Sequence, residues 1–359
     1  MEPNINKNAS TDLQNEEDKK GGWQLVMQLI KSKKIKPYLL LLATIIWGGY
    51  FCVQKIATNI ISDKNNTTEI VWLFIFAFNG LRALLGCLLV ILMTPLFNLL
   101  KNQEDKNKEK NYRYKDLIHG GFWCGIVFGF ASVFQQLGIK DTDSGIAGFI
   151  TGFYIIFVAI YGHFFQNKRC STFIVFSVVL AIFGLFLFWL SEGLKIDNIV
   201  KGGVIWLLLC AICFAIHIIF IDEYTSKCDY VRLSYYQFFV GAIVCFCVMF
   251  LIICIIFFIK GMTPMSQIIV LFPLIKEAKL PIAYAGIGAA GFGTTFQICG
   301  QKDYDETRAA VIMSLESTFA AIGGWMFLKE KPTAWKLLGF IVMFSAIMLA
   351  QRPMKMKEM

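Results

Sequence analysis

The sequence predicts an all-α membrane protein with ten transmembrane helices, arranged as two inverted repeats of five helices each. Hydrophobic residues make up 57% of the 359 residues and charged residues only 16%, and the mean hydropathy is +0.60. Soluble domains carry about 25% charged residues, so this composition indicates a polytopic membrane protein. An internal repeat and an uneven distribution of lysine and arginine complete the prediction.

Apolar runs that are long enough to cross a bilayer, about 20 residues each, recur along the whole chain. They predict spans at residues 38–60, 70–97, 117–138, 145–165, 172–190, 202–221, 233–259, 281–300, 308–328 and 334–351. Five precede a polar break and five follow it. The predicted organisation is a polar tail, two repeats and a second tail, at residues 1–37, 38–191, 202–351 and 352–359.

The repeat is clearest in two short segments. FQQLGIKDTD at Phe134–Asp143 returns as FQICGQKDYD at Phe296–Asp305, with six of ten positions identical. Arg82 corresponds in the same way to Gln237. Because each half contains an odd number of spans, the second half enters the membrane upside down. Inverted repeats of this kind are typical of secondary transporters, whose substrate site lies between the halves.

The distribution of basic residues predicts the topology. Most of the 34 lysines and arginines fall in the tails and in the loops on one side, which the positive-inside rule assigns to the cytoplasm. Both termini are therefore expected in the cytoplasm, and a bacterial inner membrane is the expected location. The net charge of +9 follows from this loop bias, so we expect a lipid bilayer as partner and no nucleic acid.

Two opposite charges lie about midway along predicted spans. Arg82 is in the second span and Glu316 is in the ninth. Charges inside a bilayer are costly and mark functional positions by default. A direct ion pair between these two residues is one expectation, either as a static structural pair or as a pair that breaks to couple proton movement to transport. Lys55, near the end of the first span, is expected to reach towards the interface.

Other polar and aromatic residues are candidates for lining a substrate cavity. His217 lies in the sixth span, as a hydrogen-bonded residue of the bundle or as a proton relay. The glutamines lie near span ends, where they can bind a zwitterionic substrate or satisfy neighbouring backbone. The full candidate set for substrate binding and coupling is Trp47, Arg82, Gln135, Tyr154, His217, Gln297 and Glu316.

The sequence offers little for catalysis or metal binding. Most of the 11 cysteines lie inside apolar runs, and Cys210-x-x-Cys213 has no second pair at metal-ligand spacing. The close acidic pairs Asp141–Asp143 and Asp303–Asp305 are repeat mates, and Asp143 and Asp305 are placed to cap the helices that follow. We therefore expect no metal, no cofactor and no enzymatic activity.

Glycines follow helical spacing in two spans that are repeat mates. Gly120, Gly121, Gly125 and Gly129 lie in the third span, and Gly286, Gly288, Gly291 and Gly293 lie in the eighth. Small residues let transmembrane helices approach closely, so both spans are expected to pack tightly against their neighbours.

Several segments resemble the EamA-type proteins of the drug/metabolite transporter superfamily. TDSGIAGFITGFYIIFVA at Thr142–Ala159 and ETRAAVIMSLESTFAAIGGWMFLKEK at Glu306–Lys331 are similar to the family's fourth and ninth spans. Trp47-Gly48 with Lys55, Arg82, and FQQLGI at Phe134–Ile139 also match the family pattern. The resemblance covers roughly residues 38–351.

The resemblance implies ten transmembrane helices in an inverted 5+5 repeat, a central cavity and the export of small metabolites, with amino acids as the best-supported substrates. Two positions depart from the family pattern. Ala159 and Ser317 stand where the family often has proline. Because proline kinks a helix, their absence suggests straighter fourth and ninth helices.

The predicted function is secondary-active export of small metabolites by alternating access. The sequence contains no nucleotide-binding P-loop, so ATP is not expected to drive transport. A nucleotide-sugar or phosphate-ester antiporter would need several basic residues in the cavity, and only Arg82 and Lys55 are available. An intramembrane enzyme, and a solute receptor or channel without coupled transport, are the alternatives from other classes.

Overall fold

The computed structural model describes residues 35–350 except for 63–66, 99–100, 102–106, 108–111, 166–171, 192–202, 303, 305 and 332. Most of the predicted N-terminal tail, the whole C-terminal tail and the predicted cap residue Asp305 lie outside these described residues. The described part is helical and contains no β-strand, which agrees with the predicted all-α class.

In the first half, the helices follow one another with short connections. They are α1 (Lys36–Ser62), α2 (Thr68–Phe97), α3 (Tyr114–Lys140), α4 (Ser144–Thr151), α5 (Tyr154–Phe165) and α6 (Thr172–Ser191). In the second half they are α7 (Val204–Thr225), α8 (Tyr230–Lys260), α9 (Pro264–Glu277), α10 (Lys279–Ala283), a wide helical segment (Tyr284–Thr294), α11 (Thr295–Gln301), α12 (Glu306–Met313), α13 (Glu316–Leu328) and α14 (Ala334–Ala350).

Six helical stretches of the described residues are long and apolar enough to cross a membrane. They are Lys36–Ser62, Thr68–Phe97, Tyr114–Lys140, Ser144–Phe164, Val204–Thr225 and Tyr230–Lys260. Ten crossings in a 5+5 arrangement therefore stay a prediction.

The surface is apolar where a soluble protein would be polar. Leu92 is 76% exposed and Phe258 is 82% exposed, and large apolar side chains are exposed along most of the helices. Polar side chains such as Gln54 and Gln136 are instead completely buried. This reversal fits a helical bundle whose outer surface faces lipid and whose polar groups are kept inside.

Glycine allows the halves to pack closely. α3 packs against α7 and α8, and α2 packs against α8 and the wide segment. A Cβ atom at Gly125 would lie 2.6 Å from the backbone oxygen of Gln237 in α8. At Gly129, one turn further, the nearest atom would be 3.6 Å away. The backbone of α8 therefore approaches α3 more closely at Gly125 than at Gly129.

The fourth and ninth spans are interrupted, contrary to the expectation of straighter helices. The first is divided between Thr151 and Tyr154, and the second between Met313 and Glu316. At both places the backbone changes to i→i−3 hydrogen bonds, such as Phe153 N to Ile150 O at 3.1 Å and Leu315 N to Ile312 O at 3.1 Å. A tight turn therefore divides each helix without the family's prolines.

We expect Gly125→Ala to destabilise the protein and Gly129→Ala to be tolerated. The first substitution forces α3 away from α8, and overpacking of this kind costs about 1–3 kcal/mol. Thermal unfolding of the purified protein in detergent measures both. Equal unfolding midpoints for the two variants would contradict the close approach at Gly125.

Candidate functional site

A central cavity lies between the two halves. Helices of both halves line it, and all seven residues that the sequence nominated are among its walls: Trp47, Arg82, Gln135, Tyr154, His217, Gln297 and Glu316. The further lining residues are Tyr50, Phe51, Phe128, Phe214, Ile218, Thr294 and Met313. The candidate residues are far apart in sequence, so the bundle brings them together.

The cavity is narrow in this conformation. Its volume is about 30 Å³. Pockets that hold small molecules usually have about 300–1,000 Å³. A metabolite would therefore enter only after the surrounding helices move apart.

Arg82 places a buried cation in the cavity wall. Its side chain is 2% exposed, and the guanidinium carbon lies 4.4 Å from the ring centre of Tyr50 and 5.0 Å from that of Phe128. Ring faces attract cations. The Nε and Nη1 atoms have no hydrogen-bond partner among the described residues, so they can still donate to a ligand.

Glu316 places a buried carboxyl group in the same cavity. It is 4% exposed and begins α13 directly after the interruption of the ninth span. The Tyr154 hydroxyl lies close to this carboxyl group but makes no hydrogen bond of acceptable geometry in the described structure.

The expected ion pair between Arg82 and Glu316 is not formed in this conformation. Among the described residues, the ion pairs within 4.0 Å do not include these two side chains. Arg82 stacks on aromatic rings instead, and Glu316 faces Tyr154. The two charges therefore line one cavity without neutralising each other directly.

Repeat mates contribute equivalent positions to the cavity. Gln135 corresponds to Gln297 and Tyr154 corresponds to Glu316 in the alignment that pairs Phe134 with Phe296. All four residues line the cavity. Tyr154 and Glu316 each begin the helix that follows an interruption. The two halves therefore place side chains of different chemistry at matched positions.

A hydrogen bond to Gln237 holds His217, and both residues lie in the second half. Its Nε2 atom lies 2.8 Å from Oε1 of Gln237, the repeat mate of Arg82, and its ring lies 5.6 Å from that of Phe128. The amide oxygen accepts, so Nε2 donates this bond and Nδ1 of the neutral ring is an acceptor. Nδ1 has no partner among the residues that the structure describes.

Trp47 fixes the wide helical segment. Its Nε1 atom donates to the backbone oxygen of Ala289 at 3.1 Å. A Cβ atom at Gly293 would lie 2.8 Å from Nε1, so only glycine fits at this position without displacing the indole. A wide helical turn of this kind is rare and often lies at a functional site.

One end of the bundle contains Lys55, Asp143, Ser144, Glu330 and Lys336, and we name it the Lys55 face. Contacts between the two halves close this end. The Glu330 carboxylate accepts hydrogen bonds from the backbone N of Ser144 at 2.8 Å, from Ser144 Oγ at 2.9 Å and from Gly145 N at 3.4 Å. A carboxylate is favoured at a helix N-terminus by the exposed N–H groups and the helix dipole. Glu330 therefore joins the end of α13 to the start of α4.

Asp143 has a different role from the predicted cap. It occupies the position before α4, but its side chain makes no capping hydrogen bond. It accepts instead from Lys336 Nζ at 3.0 Å, and Glu330 accepts from the first two amides of α4. Lys55 holds the preceding segment by donating to three backbone oxygens, those of Ile139, Lys140 and Thr142, at 2.8–3.1 Å.

The chain geometry at the end of α13 aims Glu330 at α4. Lys329 adopts a left-handed conformation with φ of 59°, and the backbone N of Glu330 donates to the Gly324 oxygen at 3.1 Å. This is a Schellman-type ending, in which glycine is the usual left-handed residue. A Cβ atom at Gly324 would collide with the Glu330 carboxylate.

Sequence reasoning did not single out several residues that the structure brings to the site. Glu330 closes the Lys55 face, Gln237 holds His217, and Gln54 lies one turn from Tyr50. The signal for Glu330 was its place in the quoted motif of the ninth span. For Gln54, the signal was a polar residue in an apolar span, four positions after a tyrosine of the cavity.

Comparisons with known proteins identify one family model and two similar transporters. The model of the EamA-like transporter family matches residues 35–190 and 201–351. The uncharacterized transporter YoaV of Bacillus subtilis (strain 168) is 22% identical over 311 residues, which cover 85% of this chain and 93% of that protein. An uncharacterized transporter of Archaeoglobus fulgidus is 26% identical over 324 residues, which cover 87% of this chain and 85% of that protein.

A solved crystal structure has a similar fold. Its TM-score with this chain is 0.54 at 14% sequence identity, and the match covers 86% of this chain and 96% of that one. At this identity the similarity concerns the fold alone.

We expect Glu330→Ala to loosen the contact between α4 and α13. Hydrogen bonds to a charged group contribute about 1.5–3 kcal/mol, so amide hydrogen exchange in residues 144–151 should become about tenfold faster or more. Glu69→Gln is the matched control, because it weakens the exposed Glu69–Lys260 ion pair away from this contact. Unchanged exchange in Glu330→Ala would show that the carboxylate does not hold the two helices together.

Proposed function

Since the chain belongs to the EamA-like transporter family, we propose that it is a secondary-active transporter that exports small metabolites, amino acids foremost. The central cavity binds the substrate, and the two halves alternate in exposing it to either side of the membrane. Export as the direction is inferred from the resemblance in sequence, and amino acids as the substrate from that resemblance together with the charges in the cavity.

The observation that carries this proposal is the pair of separated opposite charges in one cavity. Arg82 and Glu316 both line it, both are almost fully buried, and neither forms an ion pair within the described structure. A buried charge without a partner is costly. An amino acid relieves both costs, because its carboxylate pairs with Arg82 while its ammonium group pairs with Glu316.

The interruptions of the fourth and ninth spans support alternating access. Discontinuous helices at the interface between inverted halves are a recurrent feature of transporter substrate sites. Here the two interruptions carry Tyr154 and Glu316, while α4 and α13 also form the contact that closes the Lys55 face. Binding at the interruptions is therefore mechanically linked to the helices that must separate.

Proton coupling would operate through Glu316. A carboxyl group that binds a substrate ammonium group in one state and a proton in another exchanges the two during each cycle. His217 is the second candidate for carrying the proton, because Nδ1 is oriented as an acceptor in the cavity wall. Coupling by Glu316 is the simpler arrangement, since that side chain also contacts the substrate in the proposed mode.

The cavity is less suited to the alternative substrates. Phosphate esters carry two negative charges and are held by several basic groups, whereas the described lining contains Arg82 and no lysine. A metal-dependent enzyme needs a cluster of ligands, and the searched residues contain no group of three or more His, Cys, Asp or Glu placed to hold a metal. A receptor or channel without coupled transport would not accumulate any compound against its gradient in proteoliposomes.

We expect proteoliposomes containing the wild-type protein to accumulate at least one labelled amino acid against its gradient when a proton gradient is imposed. Labelled purines and phosphorylated sugars complete the panel. Arg82→Gln should reduce transport by about tenfold or more, because each lost ion pair is worth at least about 1.4 kcal/mol. Glu69→Gln, which alters an exposed carboxylate, should transport normally. Absence of transport for every compound would favour a receptor or an enzyme.

We expect Glu316→Gln to abolish the dependence of transport on the proton gradient. Glutamine keeps the size of the side chain and removes its ability to release a proton. Exchange of labelled for unlabelled substrate without a gradient separates a coupling defect from a binding defect. Coupling that is unchanged in Glu316→Gln would remove this residue from the proton pathway.

A further inference from the structure

Two residues of α1 extend the environment of Arg82 beyond the aromatic contacts. Tyr50 and Gln54 are four residues apart and so lie on the same face of α1. Tyr50 is 2% exposed and Gln54 is completely buried. The Tyr50 hydroxyl lies beside the side chains of Arg82 and Gln54. The three side chains therefore form one buried polar cluster beside the cavity.

The cluster contains an excess of hydrogen-bond donors without acceptors. Arg82 Nε and Nη1, the Tyr50 hydroxyl and Gln54 Nε2 have no hydrogen-bond partner within the described part of the chain. Gln54 Oε1 is also without a partner there. This oxygen and the Tyr50 oxygen, which can also accept, are too few for all of these donors. A buried polar group left without a partner is costly, so the cluster favours a ligand that accepts hydrogen bonds.

The chemistry of the cluster selects an anion. The guanidinium charge repels a metal cation, and arginine cannot lose its proton under ordinary conditions. The single positive charge matches a monovalent anion better than a dianion. Hydrogen bonds between ionised partners are about twice as strong as those between neutral ones, which favours a carboxylate or a halide over a neutral ligand.

We propose that Arg82, Tyr50 and Gln54 form an anion site that takes the carboxylate of the substrate or a small monovalent anion such as chloride. Arg82 supplies the charge, and the Tyr50 hydroxyl and the Gln54 amide supply further donors. Nε and Nη1 lie on different edges of the guanidinium group. A bound carboxylate therefore meets one of these edges and leaves donors of the other edge for a further acceptor.

As a carboxylate site, the cluster rests on the proposed transport function; as an anion site, it stands independently of it. Tyr50 and Gln54 then determine specificity for the acid end of the substrate, while Glu316, in α13, receives the opposite end. The recognition of the anion belongs to the first half of the chain, because α1 and α2 supply all three side chains.

The test measures anion binding to the purified protein in detergent, without transport. Sodium acetate and sodium chloride are titrated separately at constant ionic strength, and the thermal unfolding midpoint reports binding, because a ligand of the folded state raises stability with its concentration. We expect saturable stabilisation in the wild type and none in Arg82→Gln. Stabilisation by acetate alone identifies a carboxylate site, and stabilisation by chloride, alone or as well, identifies an anion site that is not restricted to the substrate.

The variants of α1 separate the proposed site from general effects. Tyr50→Phe and Gln54→Leu should each weaken anion binding by about threefold to tenfold, which corresponds to about one lost hydrogen bond. Tyr50→Phe should unfold at the same temperature as the wild type without added anion, or at a higher one, since it removes a buried hydroxyl that has no partner. Tyr114→Phe is the matched control, because the Tyr114 hydroxyl bonds to the Tyr236 hydroxyl at 2.6 Å in an exposed contact at the start of α3.

The proposal is wrong if neither salt stabilises the wild type, or if Tyr50→Phe and Gln54→Leu both bind the anions as tightly as the wild type does. Should one of the two variants not fold, the other decides the outcome. Anion binding without transport in proteoliposomes would retain the site and reject the transport function. Transport without anion binding would retain the transport function and reject the anion site.

Discussion

The central constraint on this structure is the placement of Arg82, a cation buried within a membrane bundle. Its guanidinium group lies between the rings of Tyr50 and Phe128, and no carboxylate of the described residues lies within ion-pair distance. Aromatic faces offset only part of the cost of removing a charge from water. The buried guanidinium group therefore still needs hydrogen-bond acceptors, and polar side chains of α1 lie next to it.

The repeat in the sequence places unlike side chains at matched positions. Both halves supply an interrupted helix, and the first residue after each interruption is Tyr154 in one half and Glu316 in the other. Arg82 similarly corresponds to Gln237, which holds His217. The cavity therefore carries a basic side chain from the first half, Arg82, and an acidic one from the second, Glu316. Such a cavity is suited to a small molecule that carries two different polar groups.

The closure of the Lys55 face depends on backbone groups more than on ion pairs. Glu330 binds the amides at the start of α4, and Lys55 binds carbonyl groups at the end of α3 and in the connection that follows. Both contacts use the unpaired groups that every helix end presents. Because α4 belongs to the first half and α13 to the second, the closure links the halves through the two helices that border the interruptions. Movement of either helix therefore affects both the closure and the cavity.

Much of the site could be predicted from charge and polarity alone. Arg82 and Glu316 stood out because ionised residues are rare inside membrane spans, and the structure places both in one cavity with the five other nominated residues. The arrangement of these side chains could not be predicted. Arg82 stacks on aromatic rings and does not form the expected ion pair. Which of the two contacts Arg82 makes depends on the packing of helices that are distant in sequence.

The interruptions of the helices illustrate a second limit. The absence of proline at Ala159 and Ser317 suggested straighter helices, yet tight turns at Phe153 and Leu315 divide both spans. Gly152 offers a weak signal for the first turn, whereas Ser314 offers almost none for the second. Tertiary contacts determine such turns, and these contacts cannot be predicted from a single sequence. The all-α class follows from composition, and ten crossings remain a prediction.

The most direct test of the central claim is a comparison of three ligands that differ only in charge. The amino acid that binds the purified protein most tightly is compared with its amide, which keeps the cation, and with its deaminated acid, which keeps the anion. If Arg82 and Glu316 bind opposite ends of the substrate, both analogues should bind at least about tenfold more weakly than the amino acid. An amide that binds as tightly as the amino acid would contradict the role of Arg82, and a deaminated acid that does so would contradict the role of Glu316.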